Sequence, residues 1–261
     1  MLGPATIEER FTGGQLDQAV WTPAYLPAWS STREAAATYE LVAEGLRLTI
    51  PPEQPLWCPD LHEEPLRVSA VQSGTWSGPV GSTRAQQPFR DGLVVREAQP
   101  PRWGFTPRYG HVEVECRASL SERSMFSAWM VGVELEPDDC GEICLVEVFG
   151  DTVADGPVAA LGHGIKRIRD PRLRQDFLAD PRPIDITEFH VYAVNWRPEG
   201  VDFLLDGERL RTVPQAPGYP MQLIIGVFDF PGRATSGRGE VPTPELVVRR
   251  VSGRLAACPA P

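Results

Sequence analysis

The chain lacks most of what marks a membrane, metal or nucleic-acid protein. No apolar run approaches the ~20 residues of a membrane helix, so no membrane partner is read. Residues 1–10 carry no basic segment followed by an apolar one. No signal peptide is therefore read, and the expectation is a cytoplasmic protein. Arginine heavily outnumbers lysine. The total of 25 Lys+Arg against 35 Asp+Glu leaves a formal charge of −10, which speaks against nucleic acid or anionic lipid as a partner. The five cysteines (Cys58, Cys116, Cys140, Cys144, Cys258) are odd in number. With no CxxC spacing and no Cys/His cluster, the Cys140/Cys144 pair is a weak zinc candidate. No metal and no cofactor are expected. Long helical periodicity is missing too. Residues 172–179 could form a short helical turn, but prolines flank them. No repeat of fixed period is present.

What the chain does have is turn chemistry. The 27 Pro and 24 Gly among 261 residues suit many short strands with turns between them. Strict alternation marks residues 111–118. Mostly apolar strands are predicted over 125–131 and 220–228, with shorter ones at 39–42, 45–50 and 66–71 and a last one at 246–251. The segment 189–205 reads as a hairpin through Arg197-Pro198-Glu199-Gly200, followed by an Asp206-Gly207 turn. Residues 55–84 read as a long loop with one strand, the kind of loop that walls a binding site. The expected fold is all-β, an antiparallel β-sandwich, with residues 1–261 as a single domain and a monomer.

One stretch stands apart: Gly141-Glu142-Ile143-Cys144-Leu145-Val146-Glu147-Val148-Phe149-Gly150. Its apolar, β-prone character predicts a buried strand, yet unpaired buried carboxylates are costly. The glutamates must either reach solvent in a cleft or work as a pair. Strand alternation puts Glu142 and Cys144 on one face and Glu147 on the other. One β-bulge between Cys144 and Glu147 would bring all three to the same face.

With Gly before and after, and Glu-x-Cys-x-x-Glu between, this strand resembles the Glu-x-Asp-x-x-Glu signature of glycoside hydrolase family 16. That family comprises β-jelly-roll glucanases and galactanases of concanavalin A-like type. Tyr109-Gly-His-Val-Glu-Val-Glu-Cys-Arg117, Met125-Phe-Ser-Ala-Trp129 and the 189–207 hairpin are also similar to family strands. The likeness spans about residues 105–252. It implies retaining hydrolysis of a β-linked polysaccharide, with Glu142 as nucleophile and Glu147 as acid/base. Cys144 stands where the family has an Asp that tunes and orients the nucleophile. A thiol is a weak hydrogen-bonding group, neutral at pH 7. The site is then slower but active, or retains glycan binding only, or Cys144 is simply a small buried residue.

The resemblance places Trp129 as a sugar platform or a core residue. It places Phe228 where members carry a cleft Trp, and Gly226 where they carry Asn. His163 is read as a group near the cleaved bond or as an exposed loop residue. Trp103 is read as lining the cleft or packing a loop, and Trp196 as core. His62, His111 and His190 are read as structural or surface residues. Arg167, Arg169, Arg172 and Arg174 form a basic run, read as a solvated loop or an acidic-sugar site. The function implied is an endo-glycosidase on a β-1,3- or β-1,3-1,4-glucan-like polymer or a galactan. The alternative is a catalytically impaired carbohydrate-binding protein on the same fold. The third reading is an intracellular enzyme acting on a glycan of its own host. Family members are commonly secreted.

Overall fold

A computed structural model describes residues 2–153, 157–235 and 241–255. Cys258 lies outside them. The strands in chain order are Ile7–Glu9 (β1), Thr38–Val42 (β2), Gly45–Thr49 (β3), Arg67–Gln72 (β4), Gly74–Thr75 (β5), Arg102–Trp103 (β6), Gly110–Ser119 (β7) and Ser124–Gly132 (β8). They continue with Glu142–Phe149 (β9), Ala159–Lys166 (β10), Asp176–Arg182 (β11), His190–Arg197 (β12), Gly200–Leu205 (β13), Glu208–Val213 (β14), Met221–Asp229 (β15) and Glu245–Arg254 (β16). Helical structure among the described residues is confined to the single 3-10 turns Pro27–Trp29 and Gly150–Thr152.

Two antiparallel sheets make the sandwich. One runs β14-β13-β12-β7-β16-β3-β2, with β1 on β16; the other runs β11-β10-β9-β8-β15-β4. The expected short helix over 172–179 is not formed. Asp176–Arg182 instead pairs with β10 from Ala159 to Ile165 as the edge strand β11, because extending the sheet satisfies backbone groups that a proline-bounded helix of that length would leave open. The turn Asp206-Gly207 has positive φ at both residues, 51° and 82°, the geometry that matches the twist of a two-residue hairpin.

Alternation along the six-stranded sheet sorts its side chains into two layers. Phe126, Ala128 and Met130 of β8, Ile143 and Val148 of β9, and Leu223, Ile225 and Val227 of β15 face the inter-sheet core. There they meet Trp196, Phe203 and Leu46 from the other sheet. Trp196 is fully buried and donates Nε1–H to the Pro217 carbonyl at 3.0 Å. Each such side chain contributes about 1.5–3 kcal/mol by leaving water. The opposite face of the same sheet presents Trp129, Cys144, Ile224 and Phe228 to a second apolar layer, which includes Trp57, Leu93 and Val95 from the long connections. A groove opens on that outer face.

Candidate active site

The groove is organised by an irregularity in β9. Against β8, Val146 pairs with Ala128 and Cys144 pairs with Trp129, so Leu145 is an extra residue. Against β10, Glu147 pairs with Gly162 and Cys144 with Gly164, the same slip seen from the other side. Leu145 and Val146 both point into the inter-sheet core. This bulge is what lets Glu142, Cys144 and Glu147 share the outer face. Gly162 leaves the room the site needs: a Cβ there would meet Phe177 Cζ at 2.7 Å and Glu147 Cβ at 3.2 Å.

Glu142 is 8% exposed and accepts a hydrogen bond from Gln87 Nε2 at 2.7 Å. Burial pushes its carboxyl up to about 7, against the pull of Lys166, and the Glu147 charge adds to the rise. Glu147 is bridged through Oε2 to Lys166 Nζ at 2.8 Å. Lys166 sits opposite Glu142 in the β10–β9 register, with its ammonium 4.5 Å from the Phe177 ring centroid. Burial opposes that charge, yet the neighbouring Glu147 and Glu142 carboxyls hold Lys166 above its ordinary range. The site thus consists of two carboxyls and one ammonium on a single face. Cys144 lies beneath them, buried, its thiol pushed far up by desolvation. A thiol so placed is neutral and is not a nucleophile.

Lys166 is absent from the residues expected on sequence grounds, although a signal was available: it is the only lysine in the chain. Arginine serves almost everywhere else, so a lysine at the acid pair points to a need for a compact point charge that a planar fork does not meet. Gln87 and Glu134 are also additions of the structure. Glu134 is 5% exposed; burial lifts its carboxyl to about 8, with Gln87 N–H and Arg169 opposing. Gln87 and Glu134 both have left-handed backbones, φ 45° and 53°. Each costs about 1–3 kcal/mol in a non-glycine residue, and Gln87 also precedes a proline, which disfavours helical φ/ψ further. Nothing local in the sequence marks them, because their partners lie 47 and 55 residues away.

Aromatic side chains wall the groove. Trp129 and Phe228 line it beside the acid pair with Tyr25, ring centroids 6.0 Å apart. Beyond Glu142 the groove continues past Trp57, Phe89 and His62. It then passes Glu134 and Arg169 to a hollow under Trp76, Arg84 and Arg90. The connections 55–66 and 76–101 supply most of these walls. Gly226 lies on the groove face of β15, where a Cβ would meet that of Ala70 at 2.7 Å. No larger side chain fits there without moving β4.

Two expected cleft residues lie elsewhere. His163 alternates onto the core face of β10 with Leu161 and Ile165. Its ring is 5.6 Å from Phe203, and Nδ1 lies 3.1 Å from the Leu161 carbonyl. It is 1% exposed, and burial lowers its pKa. It is neither near the acid pair nor in an exposed loop. Trp103 packs its ring on Gly74, its partner across the β5–β6 pair, away from the groove. The basic run divides. Arg172 is held by Asp170 and Asp139 and lies over Tyr219, whereas Arg169 turns into the groove. Among the described residues, no group of three or more His, Cys, Asp or Glu could hold a metal ion. No helix among them is long and apolar enough to cross a membrane.

Fold and site together define a concanavalin A-like jelly roll with an acid pair in an aromatic-walled groove. The chain matches the profile of Glycosyl hydrolases family 16 over residues 104–240, more than half its length, and belongs to that family. Among solved structures, it is similar to a GlcNAcα1-4Gal-releasing endo-β-galactosidase from Clostridium perfringens. The TM-score is 0.74 at 23% identity over 95% of this chain, which spans 63% of the length of that one. The laminarinase catalytic domain from Thermotoga maritima gives a TM-score of 0.53 at 11% identity, covering 99% of this chain and 100% of that one. A β-glucanase from Bacillus licheniformis gives 0.56 at 14% identity, covering 96% and 98%. At these identities the likeness shows the fold. No curated protein sequence matches the chain with significance.

Proposed function

We propose that this protein is a retaining endo-glycosidase that cleaves a β-linked glucan-like or galactan polysaccharide, with the site carried by one jelly-roll domain. The observation that carries this reading is the bulge at Leu145, which turns both glutamates of the family strand toward the same groove. A groove that runs from the acid pair past Trp57 and Phe89 to Arg169 suits internal cleavage of a polymer.

In the first step the Glu142 carboxylate attacks the anomeric carbon. The bond from that carbon to the glycosidic oxygen breaks, and the Glu147 proton goes to the leaving oxygen. In the second step water attacks the same carbon. Glu147 takes the water proton, and the bond to Glu142 breaks, restoring both groups. Lys166 pairs with Glu147 Oε2 while Glu147 is ionised; for the first step Glu147 takes up a proton on Oε1, which relaxes that ion pair. The same ammonium favours the ionised form of Glu142 that attack requires. In this reading Lys166 and Gln87 share the tuning that an Asp at position 144 would supply. Cys144 serves as neutral packing beneath the nucleophile.

The test is a reducing-end screen of wild type beside Glu142→Gln over laminarin, lichenan, agarose, carrageenan, xyloglucan and galactan, with binding measured on the same polymers. Cleavage by wild type alone supports the glycosidase and identifies the polymer. Binding by both proteins without cleavage by either assigns a lectin instead.

A further inference from the structure

Gln87 is gripped from two sides. Its backbone N–H donates to Glu134 Oε1 at 2.6 Å, and the carbonyl of the next residue, Pro88, accepts from Arg169 Nη1 at 3.0 Å. Arg169 Nη2 in turn lies 3.5 Å from Glu134 Oε2. The gripping residues come from the ends of distant strands, Glu134 after β8 and Arg169 after β10, and they meet on one short stretch of connection. The gripped residue holds a left-handed backbone before a proline, a conformation that a free connection would abandon. Its side chain spends its carboxamide N–H on Glu142 Oε1. Glu134 itself is a buried carboxyl that the two-step hydrolysis does not use.

We propose that Glu134 and Arg169 form a clamp that holds Gln87 in place, so that the Gln87 carboxamide orients Glu142. Glu134 is thus a positioning residue acting through Gln87. The inference rests on the reading of Glu142 as the nucleophile. It assigns to a loop residue the hydrogen bond that Cys144, a weak hydrogen-bonding group, does not supply. Strain kept at the site by surrounding groups is the expected signature of such pre-organisation.

Several charged or titratable groups share this space and bear on the test. Lys166 from β10, Glu147 and Cys144 from β9, and Tyr25 face Glu142. Arg169, Cys140 and Glu142 face Glu134, and His62 lines the same part of the groove. These stay constant across the variants Gln87→Ala, Glu134→Ala and Glu134→Gln and the double variants Gln87→Ala/Glu134→Ala and Gln87→Ala/Glu134→Gln, whereas the charge of Glu134, which also faces Glu142, is lost alike from every Glu134 variant.

The readout is the titration midpoint of Glu142, followed by NMR in full-length protein labelled with ¹³C at glutamate Cδ. The resonance is assigned by its loss in Glu142→Gln. Removing Gln87 is expected to raise the midpoint by about one pH unit, the share of one hydrogen bond to the ionised form. Glu134→Gln, whose carboxamide oxygen still accepts from Gln87 N–H, sets the midpoint for a neutral group at that position, and Glu134→Ala is expected to titrate above it by about the same amount. Once Gln87 is removed, Ala and Gln at position 134 are expected to give the same midpoint, since one residue acts through the other. A midpoint unmoved by Gln87→Ala overturns the proposal, as does a difference between Ala and Gln at position 134 that persists without Gln87. A Glu134→Ala that lowers only thermal stability also overturns it. The midpoint is measured without turnover, so a chain that cleaves no polymer would refute the glycosidase reading and leave the clamp to stand or fall separately.

Discussion

Replacing Glu142 by Gln is expected to stabilise the protein, and only at neutral and alkaline pH. Burial lifts the Glu142 carboxyl from 4.5 to about 7. Between those values the folded chain holds a proton that the unfolded chain has released. Stability therefore falls as pH rises through that window and stays reduced above it. At about 1.36 kcal/mol for each tenfold displacement of the equilibrium, the ionised carboxylate costs the fold up to about 3 kcal/mol. The carboxamide of the Glu142→Gln variant carries no such charge, and its oxygen would still accept from Gln87. Thermal melts of both proteins near pH 4 should nearly coincide. At about pH 8.5 the variant should melt higher, by up to roughly 10 °C for a chain of this size. Glu134, lifted by burial to about 8 with the Glu142 charge adding to the rise, titrates in the same range, so the difference contains the desolvation of Glu142 together with the relief of its repulsion with Glu134. A gap that is equal at both pH values, or that widens on acidification, would refute the desolvation of Glu142.

Further expectations concern the same face. In steady-state kinetics on the polymer identified by screening, kcat/KM should rise with pH through about 7 as Glu142 ionises. Lys166→Met should lower kcat/KM by about 10²-fold and move that acid limb to higher pH, and Lys166→Arg should fail to restore it. Deleting Leu145 should leave a folded protein, as judged by circular dichroism, that still cleaves, because removing the extra residue of the bulge puts Glu142, Cys144 and Glu147 at alternate positions of a regular strand, all on the groove face. Cys144 should stay unalkylated by iodoacetamide in the folded protein, read by peptide mass spectrometry, because its thiol is buried and neutral.

The sheets are legible in the sequence because strand alternation is local: β7 and the β12–β13 hairpin are visible as patterns of period two. The bulge in β9 is legible for a different reason. The Glu-x-Cys-x-x-Glu spacing cannot share one face of a regular strand, so the extra residue follows from geometry. Less is legible where register decides. Which face His163 takes depends on how β10 aligns with β9 across a slip at Gly162 and Gly164, and no residue near it reveals that. Residues 172–179 suggest a helical turn rather than a strand because an edge strand with exposed, mixed side chains has no clear period. Gln87, Glu134 and Lys166 meet Glu142 and Glu147 only through tertiary structure. Of these, only Lys166 is marked in the sequence, by its rarity.

Retaining chemistry on the two glutamates is tested most directly by time-resolved ¹H NMR of the anomeric protons during cleavage of the identified β-linked polymer. Two-step displacement through Glu142 requires the β-anomer to appear first, with the α-anomer following by mutarotation, and Glu142→Gln should release neither. The α-anomer appearing first, or release undiminished by Glu142→Gln, would contradict it.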